Sequence, residues 1–318
     1  MTSALEYPNN PVICILGPTA SGKSALSERL ACHLDGEIIS ADSMQIYKGM
    51  DIGTAKQPIA QRSVAYHCID ILAPGEPYSA SLFQRDSRAA IDKINASGHV
   101  PLICGGTFFY VRACLNNMDF APGAQQDNPV REKYQAYLQS NGADALYALL
   151  AQADPKSAGV IHPNNTVRVI RALEMCEVGE SYAARKEAFT HIPQKYASIK
   201  IALDVERETL YERINVRVDE MVEQGLVSEV EGLLEKGFRE ACTASAAIGY
   251  KEVVDYLDGH CTFEESVDAI KQATRRYSKR QRSWLRGEPG VVWLDATEYD
   301  LERLEHEALE IITDYSLS

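Results

Sequence analysis

Short apolar runs alternate along the chain with stretches in which apolar residues recur every three or four positions, and that alternation predicts strands alternating with helices. Residues 11–16 (PVICIL) are continuously apolar, as a strand covered on both faces is, and residues 25–31 then carry a helical pattern. Residues 36–43 (GEIISADS) read as a second buried strand ending in polar side chains. Residues 44–56 follow neither period, turn at Gly49 and Gly53, and are dense in polar groups, which suits a binding loop. A strand is expected at 67–72 and a helix over 79–96, with Leu82, Phe83, Ala90, Ile91 and Ile94 on its apolar face. Another buried strand, 100–106, ends in a Gly pair where a helix starts at Thr107.

From about 116 to about 196 the strand-like runs vanish, and helix-compatible segments are broken by Pro122, Pro129, Pro155 and Pro163. Residues 198–205 resume the sheet, 207–224 and 226–236 are amphipathic helices divided at Gly225, and further helices lead to a last strand at 291–295 and a last helix carrying Leu301, Leu304 and Ile312. Strands alternating with helices, opening with the phosphate-loop pattern GPTASGKS (17–24) after the first strand, give an expected α/β fold: a P-loop nucleotide-kinase-like parallel sheet with helices on both faces and right-handed crossovers. Its core falls in two parts, 1–115 and 198–318, around a mainly helical insertion at 116–197.

Composition adds limits. Hydrophobic content of 45% and charged content of 24% are those of an ordinary globular protein, large enough at 318 residues for a sizeable core. No run of about 18 apolar residues occurs, and the first ten residues lack the zones of a signal peptide, so a cytoplasmic protein without a membrane partner is expected. The eight cysteines are scattered singly and read as reduced core thiols; no structural metal is indicated. A net charge of −13 argues against a nucleic-acid partner, but residues 271–286 hold seven basic residues and no acidic one, with Tyr277 and Trp284 among them. That segment is either an electrostatic footprint or a solvated helix face.

The chemistry begins at Gly17, Pro18, Thr19, Ala20, Ser21, Gly22, Lys23 and Ser24, which fit the phosphate-gripping pattern G-x-x-x-x-G-K-[ST] between a strand and a helix. Backbone N–H groups and the helix dipole receive the anion, Lys23 adds a charge, and Ser24 offers a hydroxyl to Mg²⁺. Arg213 and Arg217 are four apart on one helix and can meet one anion. Asp42 and Ser43, at a strand end, should face the same crevice. The loop alone leaves ATP, GTP and other diphosphates open.

Several motifs in order resemble one family, over about residues 11–290: GPTASGKS (17–24), ADSMQIYKGMDIGTAK (41–56), HCID (67–70), PYSASLF (77–83), GGTFFY (105–110), HPNNTVRVIRALE (162–174), RVDEMVEQGLVSEV (217–230), AAIGYKE (246–252) and TRRYSKRQRSWLR (274–286). They resemble bacterial-type tRNA dimethylallyltransferases, also called tRNA isopentenyltransferases. The resemblance implies transfer of a dimethylallyl group from dimethylallyl diphosphate to N6 of adenosine 37, in the anticodon stem-loop of tRNA. It implies that Lys23, Arg217 and Mg²⁺ near Ser24 neutralise the diphosphate leaving group, with Arg213 as the neighbour of Arg217. It implies Asp42 as general base, although a loop cap or a place behind Mg²⁺ also suits that carboxylate. Ser43, Met44 and Gln45 would line the adenine pocket. Contacts to tRNA are implied for Thr107, Arg131, Val167, Arg168, Val169, Ile170 and Arg171. The same holds for Ala246, Ala247, Ile248, Gly249, Tyr250 and Lys251, and for Lys279, Arg280, Gln281, Arg282, Ser283, Trp284, Leu285 and Arg286. A monomer is expected. An adenylate isopentenyltransferase and a small-molecule P-loop kinase are the alternative readings, and a non-catalytic tRNA-binding module is a third; the long insertion and basic segment favour a macromolecular acceptor.

Overall fold

β1 (Val12–Leu16) is buried along its whole length and lies inside the sheet, where both faces are covered. The computed structural model describes residues 11–120, 128–189, 192–241 and 243–317. In chain order the elements are β1, α1 (Lys23–Leu34), β2 (Gly36–Ser40), β3 (Tyr66–His67), α2 (Ala80–Ala96), β4 (Val100–Gly105), α3 (Phe108–Leu115), α4 (Pro129–Ala153), α5 (Pro155–Val160), α6 (Thr166–Glu177), α7 (Tyr182–Ala188), β5 (Ser198–Asp204), α8 (Arg207–Glu223), α9 (Leu226–Leu234), α10 (Tyr250–Leu257), α11 (Phe263–Leu285), β6 (Val291–Asp295) and α12 (Leu301–Leu317). Among the described residues the strands form one parallel sheet in the order β3-β2-β4-β1-β5-β6.

The pleat of β1 divides the core. Val12, Cys14 and Leu16 join Phe83 and Ile91 of α2 and Val230 of α9 on one face, while Ile13 and Ile15 join Leu26 and Leu30 of α1, Ile214 of α8 and Leu304 of α12 on the other. Helices therefore cover both faces of a parallel sheet, and the carboxyl ends of β1, β2 and β4 carry the loops from which the candidate site is built.

The strand expected at 67–72 is shorter than its sequence suggests. β3 keeps only Tyr66 and His67, because Cys68 and Asp70 take positive φ values of 56° and 55° and turn the chain out of the ladder. Of the cysteines read as core thiols, Cys14, Cys68, Cys104 and Cys114 are buried, whereas Cys32 is exposed; the described cysteines form no disulfide. Among the described residues no helix is long and apolar enough to cross a membrane.

Asn116–Gln194 form a second compact unit. It holds α4 to α7 around Leu146, Leu150, Val169, Ala172 and Leu173, and α4 bends at Gly142, whose φ is 82°. Its helices start on side-chain caps: Asn128 accepts from Val130 N and Arg131 N, Asp154 from Ser157 N, and Asn165 from Arg168 N. A cavity of about 480 Å³ within the unit is bordered by Asp119, Glu180 and Arg185, whose charges pair with one another.

Candidate active site

α1 starts at Lys23 behind Gly22, with no side chain capping its first turn. The orphan N–H groups and positive dipole end are thus left for a ligand, beside a cleft of about 330 Å³. Thr19, Lys23 and Ser24 line that cleft, as do Asp42, Ser43, Met44 and Gln45 from the end of β2, Gly105 from the end of β4, Arg217 from α8, and Tyr277, Arg280 and Gln281 from α11. The walls between these groups are largely apolar, with Ile214, Val218, Met221, Ile248 and Ile270.

Two cations converge here. Burial, followed by the neighbouring Arg217 cation, pushes the Lys23 ammonium below its ordinary value, against the opposing pull of Cys104 and Asp42. Burial likewise pushes the Arg217 guanidinium down against the pull of Asp42 and Glu220. Among the described residues the Lys23 side chain makes one hydrogen bond, from Nζ to Pro18 O at 3.3 Å. Like charges held near one another and partly withdrawn from water form a site that favours an anion.

Asp42 lines the same cleft and attracts both cations. Its Oδ1 accepts from Met44 N at 2.9 Å and Gln45 N at 3.4 Å, which fixes the carboxylate on its own turn, and Oδ2 makes no hydrogen bond to a described residue. The turn sits against β4: Ser43 N donates to Thr107 Oγ1 at 3.1 Å and Thr107 N to Ala41 O at 3.1 Å. That approach requires Gly105, since a Cβ there would lie 2.2 Å from Ala41 O. Tyr277 faces the same carboxylate. Burial, then the charge of Asp42, raises its phenol to about 12, so it stays protonated as a hydrogen-bond donor.

Several expected contacts turn inward. Gln45 borders the cleft, but its Oε1 accepts from Ser40 Oγ at 2.9 Å and its Nε2 donates to Thr54 O at 3.2 Å. A backbone carbonyl can only accept, so the amide orientation is fixed and both ends are engaged. Arg213 does not line the cleft. Its guanidinium donates to Ala296 O at 3.0 Å and Thr297 O at 2.6 Å, and lies over the Tyr299 ring at 5.3 Å. Arg282 pairs with Asp204 at 2.7 Å, and Trp284 stacks on Phe108 with ring centroids 5.1 Å apart. Leu285 and Tyr250 are fully buried, whereas Ala246, Ala247, Ile248 and Gly249 line the cleft. Within the second unit Arg131 and Arg171 both bond Glu174, at 2.6 Å and 2.9 Å, and Val169 and Ile170 are core; Val167 and Arg168 are exposed.

What remains outward on α11 is regular. Arg276, Lys279, Arg280, Ser283 and Arg286 are exposed at helical spacing and form one basic face, while Ser278, Gln281 and Leu285 occupy the buried one. Gln281 ties the helix to the phosphate loop: its Oε1 accepts from Thr19 N at 2.9 Å and its Nε2 donates to Gly106 O at 3.0 Å. Ile270, Thr274, Tyr277 and Gln281 continue as a stripe along the cleft, and Ile214, Arg217, Val218 and Met221 form the matching stripe on α8. Sequence reasoning noted Tyr277 only as an aromatic within the basic run and did not single out Cys104 or Glu229. The signal for Arg217, independent of any resemblance, is a lone cation inside an apolar i, i+3, i+4, i+7 stripe.

The protein can contribute oxygen to a divalent cation only sparsely. Ser24 is exposed at the mouth of the loop and Oδ2 of Asp42 is open, and among the described residues no group of three or more His, Cys, Asp or Glu could hold a metal alone. Such a donor set fits Mg²⁺, which keeps waters and takes most of its ligands from a bound phosphate group.

Comparison with known proteins places these features in context. The model of the family described as IPP transferase matches residues 45–288. The tRNA dimethylallyltransferase of Bacillus subtilis is 45% identical over 299 residues, covering 92% of this chain and 93% of that protein. The tRNA dimethylallyltransferase of Halalkalibacterium halodurans is 43% identical over 294 residues, covering 92% of this chain and 93% of its own. Among solved structures, a tRNA isopentenylpyrophosphate transferase from Bacillus halodurans superposes with a TM-score of 0.70 at 41% identity, over 97% of this chain and 98% of the other. A eukaryotic dimethylallyltransferase captured acting on tRNA gives a TM-score of 0.77 at 31% identity, covering 95% of this chain and 77% of its own.

Proposed function

The chain belongs to the IPP transferase family, and on that premise we propose that it transfers a dimethylallyl group from dimethylallyl diphosphate to N6 of adenosine 37 in the anticodon stem-loop of tRNA, releasing diphosphate. The observation that carries this reading is that Lys23 and Arg217, half-buried like charges, line one cleft together with Asp42. A cation pair alone would suit any diphosphate. A carboxylate in the same cleft, with the basic face of α11 alongside, suits an acceptor that must lose a proton and carries its own negative charge.

The chain's residues divide the reaction between them. The amine nitrogen attacks carbon 1 of the donor, the carbon–oxygen bond breaks, and its electron pair leaves on the diphosphate. Lys23, Arg217 and the α1 N-terminus stabilise that developing charge without reorganising. Asp42, held by Met44 N and Gln45 N, takes the proton that leaves the amine. Mg²⁺ bound beside Ser24 would add further charge neutralisation on the leaving group. The apolar walls suit the hydrocarbon tail and keep water from capturing the allylic carbon. A stacked base cannot reach Asp42, so the acceptor adenosine is turned out of its loop. The protein then works in the cytoplasm, where tRNA is found.

Labelled dimethylallyl diphosphate offered with anticodon stem-loop RNA, AMP, or ATP with small acceptors tests the assignment. Label is expected in RNA; label in AMP instead, or ATP turnover with no labelled product, would overturn it.

The α11 face makes a separate prediction. Lys279→Ala and Arg280→Ala should each reduce the salt dependence of stem-loop binding by about 0.7 in the log–log slope, the value for one lost phosphate contact on a single strand. Binding titrations at several salt concentrations check it. An unchanged slope in both variants would return this face to plain solvation.

A further inference from the structure

The loop between β2 and β3 is held at its far side by a carboxylate from another element. Glu229, in the first turn of α9, accepts from three successive backbone groups: Asp51 N at 2.9 Å and Ile52 N at 2.8 Å on Oε2, and Gly53 N at 3.1 Å on Oε1. Tyr250 Oη donates to the same Oε1 at 2.5 Å, and its ring covers Gly53 so closely that a Cβ there would lie 2.4 Å from Cε2. Three consecutive N–H groups turned onto one carboxylate form an anion nest filled by the protein itself.

The segment held in this way is a wall of the cleft. Gly53, Thr54 and Ala55 line it, and the chain of contacts leads from there to the carboxylate that shares the cleft with the cations. Thr54 O receives Gln45 Nε2 at 3.2 Å, and Gln45 N in turn donates to Asp42 Oδ1 at 3.4 Å. None of the groups on the donor side, the phosphate loop, Lys23 or Arg217, hydrogen-bonds Glu229 among the described residues. We infer that Glu229 is a positioning residue that holds the 51–55 wall, and through Gln45 the Asp42 turn, in register for the acceptor. The inference rests on the acceptor reaction proposed above.

Glu229→Gln is the informative substitution. One amide oxygen can keep Asp51 N and Ile52 N, and the amide nitrogen can donate to Tyr250 Oη, but Gly53 N then loses its acceptor. The loop should still fold, because Lys56 anchors its other side through Tyr47 O at 2.5 Å, Asp51 Oδ1 at 2.8 Å and Asp70 Oδ1 at 2.5 Å. Expected are faster amide exchange at residues 51–53 and a roughly tenfold fall in single-turnover transfer to stem-loop RNA, since small displacements of reacting groups are costly. Affinity for inorganic diphosphate should stay at the wild-type value.

Unchanged exchange in Glu229→Gln, wild-type transfer despite faster exchange, or a parallel loss of diphosphate affinity would each overturn the inference. Amide exchange needs no turnover, so it reports on the anchor even if wild-type protein labels no RNA, an outcome that would instead sink the acceptor assignment.

Discussion

Asp42→Asn should slow transfer by roughly 10²–10⁴-fold, the range that a positioned general base contributes. Asparagine is the informative replacement because the carboxylate has two tasks that alanine would remove together. Oδ1 holds Met44 N and Gln45 N, and an amide oxygen in the same place keeps that turn. The negative charge and proton affinity are lost alone. Single-turnover kinetics beside gel-shift binding separate the two tasks: the rate should collapse with stem-loop affinity retained. If affinity falls as far as the rate, Asp42 is a binding residue and the proton goes elsewhere.

The second large effect belongs to the cations. Lys23→Met and Arg217→Met should each lower turnover by about 10²–10³-fold, as the loss of one preorganised charge partner on a leaving group does. The double variant should lose less than the product of the two, because both groups act on the same developing charge. Stability should respond in the opposite sense. Both cations are disfavoured by burial, and Lys23 also by its neighbour, so removing either relieves a cost that Asp42 opposes in the ligand-free protein and a bound anion offsets further. Thermal unfolding of the ligand-free protein is therefore expected at an unchanged or higher temperature in each single variant. A marked drop would mean that the side chains serve the core more than the leaving group.

Much of the architecture was legible because its physics is local. A strand covered on both faces is mostly apolar: β1 and β4 stand in continuous apolar runs, while the apolar residues of β2 and β5 are interrupted by Glu37 and Lys200, which pair with His67 and Glu288. α11 begins where Thr262 and Glu265 form a capping box, a four-residue signal that hydrophobic periodicity does not report. β3 was overestimated because left-handed backbone at Cys68 and Asp70 is set by what those residues bond: Asp70 meets Lys56, and Cys68 is packed in the core. No periodicity encodes that.

Side-chain direction was harder to read. Arg213 and Arg217 share a helix face by spacing, yet Arg217 enters the cleft while Arg213 reaches the carbonyls after β6. A long cation goes to the nearest acceptors, and which acceptors are near depends on chain 83 residues away for Ala296 O. The run of cations at 271–286 was plain as composition, but only the packed helix sorts Arg276, Lys279, Arg280 and Arg286 outward from Arg282, which Asp204 engages.

The sequence by itself determined that a phosphate loop follows a buried strand, that a carboxylate ends the next one, and that positive charge is concentrated near the end of an acidic chain, because each is a property of residue types at fixed short spacing. The tertiary structure alone decided which of these meet. Lys23, Asp42 and Arg217 converge, Gln281 couples the basic helix to the phosphate loop, and Glu229 holds the wall between them, since contacts spanning tens to hundreds of residues are set by how helices dock on the sheet.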